Sequence, residues 1–446
     1  MLTPVIAVFP SSEAMQNSAA ADVTTLDVQN VEVPDGLVLD PNFAAIPLGG
    51  GTSDSMTSEA MTPAGSTLFA VRGFVDADPD EGPPQTMGQA TIYADPQIEV
   101  YLTCGGTPPV GTAQDVATNL GVASLAAKGL TGANVGIVIM DTGINLAHLS
   151  NVMGSTPNLD VANSFTPPGS TTAPGRYKVH HGTMCAFDAL IAAPSATLID
   201  YPILAVASAG GSTISGTLSL ALLAFARVLG SWGVAFAAGG LSQYAGLVVS
   251  NSWGIFNPNW DFPVNHPGRY CDNPNHPFNL LLGVMAQSGI DVVFAAGNCG
   301  ADCADLRCAG RTTEAIMGAS AMQPVLTLAG CDNTAVRVGY SSQGPSIANM
   351  FQEKPDITAY THFAGSRAFG PNSPDSGTSA ACPVAAGCVA ALRTSLAPRD
   401  AASTPAVLFD KLRSTAGQGG GLPAGWNGDY GFGIIDPGAT ATAFGL

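Results

Sequence analysis

The chain has 446 residues and a formal net charge of −18, with 15 lysines and arginines against 33 aspartates and glutamates. This acidic balance argues against nucleic acid and anionic membranes as partners, because both attract basic proteins. Hydrophobic residues make up 46% of the sequence and charged residues only 11%, which predicts a large packed core with room for one large domain and an N-terminal extension.

The N-terminal part of the chain carries few regular patterns. Residues 1–65 are rich in small and polar residues, and we expect them to be poorly ordered. No secretory signal is visible, because residues 1–10 contain no basic residue and Pro4 and Pro10 interrupt their apolar run. Strand-like runs follow at residues 67–75, 90–94 and 97–102. A Gly- and Pro-rich linker at residues 104–109 predicts a domain boundary near residue 110.

Beyond the linker, strand and helix patterns alternate. Residues 135–140 form a continuous apolar run rich in β-branched residues, typical of a strand buried on both faces of a parallel sheet. Further strands are predicted at 197–204, 247–250, 291–296 and 325–329, and helices at 115–128, 184–193, 218–229, 279–288 and 380–396. The alternation predicts an α/β domain over residues 111–446, with a parallel sheet between two layers of helices.

The most apolar region, residues 218–249, needs a separate interpretation. It contains Arg227 and several glycines, so we interpret it as a buried helix, a loop and a core strand and expect no membrane span.

The nine cysteines are an odd number, so at least one is free or pairs between chains. Cys299, Cys303 and Cys308 crowd one loop. A disulfide loop is the favoured interpretation, because three cysteines without a nearby histidine are a weak signal for zinc.

Four polar residues stand where predicted elements begin or end. Asp141 ends the first buried strand, Asn298 follows the strand at 291–296, and His181 opens the next helix. Ser379 lies where the turn at Gly377 becomes a helix, and a helix start offers unpaired N–H groups to an oxyanion. These residue types suit acyl transfer, with Ser379 as nucleophile, His181 as base, Asp141 as its orienting carboxylate and Asn298 as an oxyanion donor.

The motifs around these residues resemble those of the subtilase family of serine proteases. The matching segments are Asp141-Thr142-Gly143, His181-Gly182-Thr183, Ala295-Ala296-Gly297-Asn298 and Gly377-Thr378-Ser379-Ala380-Ala381-Cys382-Pro383, in the Asp, His, Ser order of that family. The resemblance covers residues from about 120 to 446. It implies a seven-stranded parallel core sheet, endopeptidase activity on polypeptide substrates and an Asp141, His181, Ser379 triad with Asn298 in the oxyanion hole. The resemblance further implies a substrate cleft lined by Ser252, Trp253, Gly254, Ala296 and Gly297.

The sequence departs from the family pattern at His180, where Gly is usual, and at Cys382, where Ala is common. Cys185 lies one helical turn after His181, on the same face. This spacing resembles the thiol-containing branch of the family and predicts that mercurials inhibit by displacing His181. No cofactor is expected to be required and no metal ligand is assigned.

Three acidic residues could hold a structural calcium ion, as subtilases often do, although no EF-hand pattern is present. They are Asp261, Asp272 and Asp302. The loops at 258–277 and 299–308 are interpreted as insertions beside the cleft, with His266 and His276 at the surface.

Residues 1–110 are expected to be the propeptide that the resemblance implies, an intramolecular chaperone and inhibitor. Self-cleavage would then occur within residues 101–114. The alternative is a solvated N-terminal extension without inhibitory role.

Three other functions account for part of the sequence. Asp141-Thr142-Gly143 and Asp375-Ser376-Gly377 also match the short signature of pepsin-like aspartic proteases, but that family is mostly strand and leaves His181 and Asn298 without a role. A peptide transpeptidase or macrocyclase would use the same triad and pass the acyl group to an amine. A catalytically silent scaffold would retain only the fold.

Overall fold

The structure is a computed structural model and describes residues 2–10, 32–48, 68–100, 103, 107–206, 214–233, 241–417 and 425–446. In chain order the strands are β1 (Leu2–Pro10), β2 (Leu37–Leu39), β3 (Ile46–Pro47), β4 (Leu68–Asp76), β5 (Thr86–Met87), β6 (Ala90–Ala94), β7 (Gln97–Val100), β8 (Val135–Asp141), β9 (Asn158–Leu159), β10 (Thr197–Pro202), β11 (Ala205–Val206), β12 (Ile214–Thr217), β13 (Gly246–Asn251), β14 (Trp253–Gly254), β15 (Ile290–Ala295), β16 (Leu326–Cys331) and β17 (Ile357–Tyr360). The helices are α1 (Ala113–Asn119), α2 (Val122–Ala127), α3 (Leu146–Met153), α4 (His181–Ala192), α5 (Leu218–Gly233), α6 (Pro277–Gln287), α7 (Thr378–Arg393), α8 (Pro405–Thr415) and α9 (Pro437–Ala443).

A seven-stranded sheet forms the centre of the molecule, in the order β17-β16-β15-β13-β8-β10-β9. Every neighbouring pair in it is parallel. Successive residues of β8 face opposite cores: Ile137 and Ile139 lie in the core formed with α4 and α7, whereas Val138 and Met140 lie in the core formed with α5 and α6. Both faces are therefore covered, which confirms the predicted three-layer α/β fold.

The helices α4 and α7 pack closely on one face of this sheet. A Cβ added to Gly387 of α7 would lie 2.2 Å from the carbonyl oxygen of Ala189 on α4. Only glycine allows this approach, and it brings together the two helices whose first turns contain His181 and Ser379.

The N-terminal segment forms a second, antiparallel sheet of six strands. Its strand β1 pairs with β4 along nine residues and with β6 on its other side. The expectation of poor order over residues 1–65 is therefore wrong for residues 2–10, because they pair with β4 on one side and residues 5–8 also pair with β6 on the other. Residues 32–48 contribute β2 and β3, which pair with β4. Residues 1, 11–31 and 49–65 of that prediction lie outside the described residues.

The third sheet has four strands in the order β11-β12-β7-β14 and joins the two parts of the chain. Its strand β7 precedes the predicted boundary near residue 110, and its partners β12 and β14 follow that boundary. The N-terminal part is thus connected to the rest by a shared sheet, and the division at residue 110 stays a prediction.

Among the helices in the described part of the chain, none is long and apolar enough to cross a membrane. Residues 218–249 contain α5 and most of the buried strand β13, as the sequence predicted, while residues 234–240 between them lie outside the described residues.

Candidate active site

Asp141 and His181 form a buried pair at the carboxyl end of β8. The Nδ1 atom of His181 lies 2.9 Å from both carboxylate oxygens of Asp141. The N–H of Thr142 donates to Oδ1 of Asp141 at 2.7 Å and so holds the carboxylate in place. An Nδ1–H that donates to Asp141 leaves Nε2 as the acceptor of the neutral ring, and the buried Nε2 has no hydrogen-bond partner among the described residues.

The position of His181 depends on the glycine that follows it. The N–H of Gly182 donates to Oγ1 of Thr142 at 2.8 Å. A Cβ on Gly182 would lie 2.7 Å from the carbonyl oxygen of Gly143, so a larger residue would push the start of α4 away from the turn after β8. The His-Gly-Thr motif therefore brings the imidazole to the carboxylate of Asp141.

Ser379 lies in the first turn of α7, beside the end of β13. Its hydroxyl donates to the carbonyl oxygen of Ser252 at 3.4 Å, and the hydroxyl of Ser252 donates to the carbonyl of Ser379 at 2.9 Å. Ser379 is 0% and His181 2% exposed, so the site is closed to solvent in this conformation.

Asn298 follows β15 and contacts the turn that leads into α7. Its Oδ1 accepts hydrogen bonds from the N–H of Thr378 at 3.0 Å and from its hydroxyl at 3.1 Å. A Cβ on Gly377, whose φ is +82°, would lie 2.8 Å from Nδ2 of Asn298. The amide nitrogen is thereby directed at the turn immediately before Ser379, which suits a donor to an oxyanion formed there.

A model of the subtilase family matches residues 132–433, about two thirds of the chain. The chain belongs to the subtilase family. Membership implies a subtilisin-like serine peptidase that acts on polypeptides.

Two of the solved structures that match this subtilase are fervidolysin and MycP1, and the likeness in fold rests on fervidolysin. Fervidolysin from Fervidobacterium pennivorans, a keratinolytic enzyme related to subtilisin, has a TM-score of 0.57 and 14% sequence identity, with 99% of this chain and 61% of that chain covered. The chain thus spans about 61% of the length of fervidolysin. MycP1, with its N-terminal propeptide removed, has a TM-score of 0.48 and 20% identity, with 73% of this chain and 96% of that chain covered. No curated protein sequence matches the chain.

The segment that was predicted to line the substrate cleft pairs with another strand of the same chain. Trp253 and Gly254 form β14, and they pair with Val100 and Glu99 of β7. The indole of Trp253 does not face a cleft: it is 0% exposed, and its ring centroid lies 5.2 Å from that of Phe294 in the core. The expectation that this side chain forms a cleft wall is therefore wrong, because the alternation along β14 turns it inward.

Ala296 and Gly297 lie between β15 and Asn298, and both are buried. The N–H of Gly297 donates to Oγ1 of Thr378 at 3.0 Å, and its carbonyl accepts from the N–H of Ser342 at 2.9 Å. Their contribution to substrate binding stays a prediction.

Cys185 lies where its spacing predicted, beside the Asp141 and His181 pair. Its Sγ is 3.7 Å from Nδ1 of His181, 3.6 Å from Oδ2 of Asp141 and 3.5 Å from the carbonyl oxygen of Ser379. Burial, and after it the charge of Asp141, raises the pKa of this thiol well above its usual value, so the sulfur carries its proton.

Asp375 and Asp141 have different hydrogen-bond partners, which argues against a shared aspartic-protease dyad. The Asp375 carboxylate accepts hydrogen bonds from the N–H and the hydroxyl of Ser366, each at 2.5 Å. Burial raises the pKa of Asp375 to about 6. Asp188 of α4, which the sequence did not single out, lies next to it, and burial together with the charge of Asp375 raises the pKa of Asp188 strongly. Residue spacing alone offered no signal that Asp188 and Asp375 lie next to each other.

The cysteine loop is a disulfide loop, as favoured, with Cys299 bonded to Cys308 at an S–S distance of 2.02 Å. The alternative interpretation of these cysteines as a metal site is wrong, because a sulfur in a disulfide is no longer a thiolate ligand. Among the described residues, one group has its ligand atoms close enough for a metal ion, and it consists of Asp141, His181 and Cys185 of the site above.

The three acidic residues considered for calcium have protein partners and do not form one cluster. Asp261 accepts from the N–H of Cys271 at 2.7 Å, Asp272 pairs with Arg269 at 2.5 Å, and Asp302 pairs with Arg337. A structural calcium ion stays a prediction.

The loop at residues 258–277 packs against the N-terminal sheet. His276 is fully buried, and its Nε2 lies 3.0 Å from the carbonyl oxygen of Ala94. Nε2 of His266 lies 2.7 Å from the carbonyl oxygen of Pro83. The expectation of surface histidines is wrong for His276, since an Asn- and Pro-rich composition does not reveal a second sheet that covers the loop.

Proposed function

We propose that this subtilase is a serine endopeptidase whose nucleophile is Ser379, with His181 as general base and Asp141 as its orienting carboxylate. The observation that carries the proposal is the contact of both Asp141 oxygens with Nδ1 of His181, which leaves Nε2 as a proton acceptor beside α7. The reaction requires the Ser379 hydroxyl to turn from the Ser252 carbonyl to Nε2, and such catalytic hydrogen bonds commonly tighten only when substrate binds.

The acylation step follows from these positions. Nε2 of His181 takes the hydroxyl proton as Oγ of Ser379 bonds to the substrate carbonyl carbon, and the electron pair of the C=O bond moves to oxygen. The amide of Asn298 and the N–H of Ser379 at the helix start stabilise that oxyanion. Collapse of the intermediate breaks the C–N bond, and His181 gives its proton to the leaving amine.

Deacylation repeats these steps with water as the nucleophile. Water attacks the acyl-enzyme while its proton passes to Nε2 of His181, and the collapse that follows releases the acid and returns a proton to Ser379. If an amine replaced water, the product would be a new peptide bond, and product masses distinguish the two outcomes.

The N-terminal segment is proposed to be an inhibitory propeptide. Its strand β7 fills the place between β12 and β14, where an extended substrate would add as a strand. It runs antiparallel to β14 and so toward Ser252, whose carbonyl contacts Ser379. Substrates would enter only after cleavage within residues 101–114 and departure of β7.

Fluorophosphonate labelling tests the nucleophile, once the full chain has been incubated until its peptidase activity no longer rises and the proposed cleavage has opened the site. Wild type and the Ser376→Ala control, altered in the same turn, are expected to be labelled, and Ser379→Ala is not. Equal labelling of wild type and Ser379→Ala would refute the assignment. Linear fragments from a defined peptide indicate hydrolysis, whereas a ring lighter by one water indicates a macrocyclase.

The state of the N-terminus tests the inhibitor. Wild type is expected to release an N-terminal fragment as its peptidase activity rises, and Ser379→Ala is expected to stay intact. Full peptidase activity of an uncleaved chain would contradict the inhibitory role.

A further inference from the structure

The slot that β7 occupies is formed by strands on both sides. Glu99 in its centre faces Ser215 of β12 and Gly254 of β14. When β7 departs, the N–H and C=O groups of both neighbours become available to another extended peptide. A side chain of β7 in this slot therefore indicates which type of substrate side chain the slot accepts.

Side chains of β7 alternate between two environments. Ile98 and Val100 lie in the apolar core and are 0% and 1% exposed. Glu99 points to the opposite face and is still only 3% exposed. A carboxylate this buried requires a charged or hydrogen-bonding partner.

Gln97 of β7 itself donates from Nε2 to Oε1 of Glu99, and Arg307 is the charged partner. Nη1 of Arg307 donates to Oε2 of Glu99, and its Nη2 donates to the carbonyl oxygen of Val100 at 3.1 Å. One guanidinium thus contacts both a side chain and the backbone of the strand in the slot, although Arg307 and Glu99 are 208 residues apart in the chain.

The guanidinium is held by groups that stay when β7 leaves. Asp305 accepts from Nε of Arg307 at 2.9 Å and from Nη2 at 3.1 Å. The guanidinium carbon lies 3.6 Å from the centroid of the Phe256 ring. The disulfide between Cys299 and Cys308 closes the loop just beside it. Arg307 is therefore positioned for a carboxylate before a substrate arrives.

We propose that Arg307 forms a subsite that selects an acidic side chain in the substrate, at the position that Glu99 now occupies. The proposal rests on the proposed function, since it takes β7 as a stand-in for substrate. Asp305 offsets part of the charge of Arg307, so selection comes mainly from charge-assisted hydrogen bonds to the carboxylate. Glutamate is expected to exceed glutamine by about tenfold in kcat/KM, with lysine poorer than both.

The test uses peptides with the sequence of residues 95–114, in which Ser replaces Cys104 and the position of Glu99 carries Glu, Gln or Lys. The full chain is incubated until its peptidase activity no longer rises, and kcat/KM is measured for each peptide. Wild type and the Arg311→Ala control are expected to prefer the Glu peptide. Arg311 lies four residues along the chain and pairs with the exposed Glu314 instead.

Arg307→Ala is expected to lose the preference for Glu over Gln while it still cleaves the Gln peptide, which shows that the variant is folded. Arg307→Lys keeps the charge and is expected to retain part of the preference. An Arg307→Ala enzyme with the wild-type Glu-to-Gln ratio, or wild type with equal rates on both peptides, overturns the subsite alone. Failure to cleave any of the three peptides, together with the absence of Ser379-dependent fluorophosphonate labelling, overturns the proposed function and the subsite with it.

Discussion

The ion pair of Asp291 and Arg393 connects the start of β15 to the end of α7, the helix whose first turn contains Ser379. Nε of Arg393 lies 2.6 Å from Oδ2 of Asp291, and Nη2 lies 2.7 Å from Oδ1. Both side chains are 0% exposed. We predict that Asp291→Ala strongly destabilises the fold, because it leaves a guanidinium buried without its counter-charge.

The magnitude follows from the partners that remain. Loss of one member of a buried ion pair costs about 3–5 kcal/mol. Arg393 keeps the carbonyl oxygens of Leu396 at 3.3 Å and Ser403 at 2.5 Å, which places the expected loss near the lower limit, about 3 kcal/mol. The matched control is Asp410→Ala, which breaks the pair of Asp410 with Arg413 at 2.6 Å. Asp410 is 75% exposed, so this loss should stay below about 1 kcal/mol.

The assay is denaturant unfolding in a Ser379→Ala background, where the proposed self-digestion cannot contribute. If refolding fails, unfolding rates at a common denaturant concentration replace midpoints. Replacement of both partners, Asp291→Leu with Arg393→Met, is expected to recover much of the stability, since no buried charge is left unpaired. An Asp291→Ala variant that loses no more stability than Asp410→Ala would refute the reasoning.

Three further predictions concern the site. A mercurial should inactivate wild type slowly, because the Cys185 thiol is buried and protonated. Cys185→Ala should keep its activity and lose this sensitivity, and equal inactivation of both proteins would contradict a role of Cys185 in mercurial inhibition. Gly182→Ala should lower kcat/KM by about 10² or more, because the added Cβ meets the carbonyl oxygen of Gly143 and displaces His181. An unchanged kcat/KM would show that this tight contact does not position His181. The folded-state pKa of Asp375 is raised from 3.8 to about 6, so its contribution to the free energy of unfolding is present at low pH and is lost as pH rises from about 4 to about 6. Asp375→Asn should remove up to about 3 kcal/mol of that pH dependence in denaturant unfolding of an inactive variant, and an unchanged slope would contradict the assignment.

The elements around the site could be predicted because their signals are local. The apolar run that forms β8 ends at Asp141, and the glycines at 182 and 377 mark where two helices begin. Each signal depends on the intrinsic conformational preferences of a few adjacent residues. The rule that functional groups lie beyond the carboxyl ends of parallel strands then placed Asp141 and Asn298 on one edge of the sheet.

The environment of a side chain was predicted poorly wherever a distant segment covers it. The strand β1 was missed because its partners β4 and β6 are many residues away, and the burial of His276 depends on the carbonyl of Ala94. Trp253 was assigned to the cleft, although its indole lies in the core.

Residue order and local pattern were sufficient to predict the α/β class, the subtilase resemblance and the residues proposed as the triad, because turn and strand chemistry is encoded over short stretches. The occupation of the slot between β12 and β14 by β7, the pair of Asp188 with Asp375, and the contact of Arg307 with Glu99 arise only in the folded molecule. Each joins segments far apart in the chain, and whether two such segments meet is decided by the global packing of sheets and helices, which no short stretch of sequence specifies.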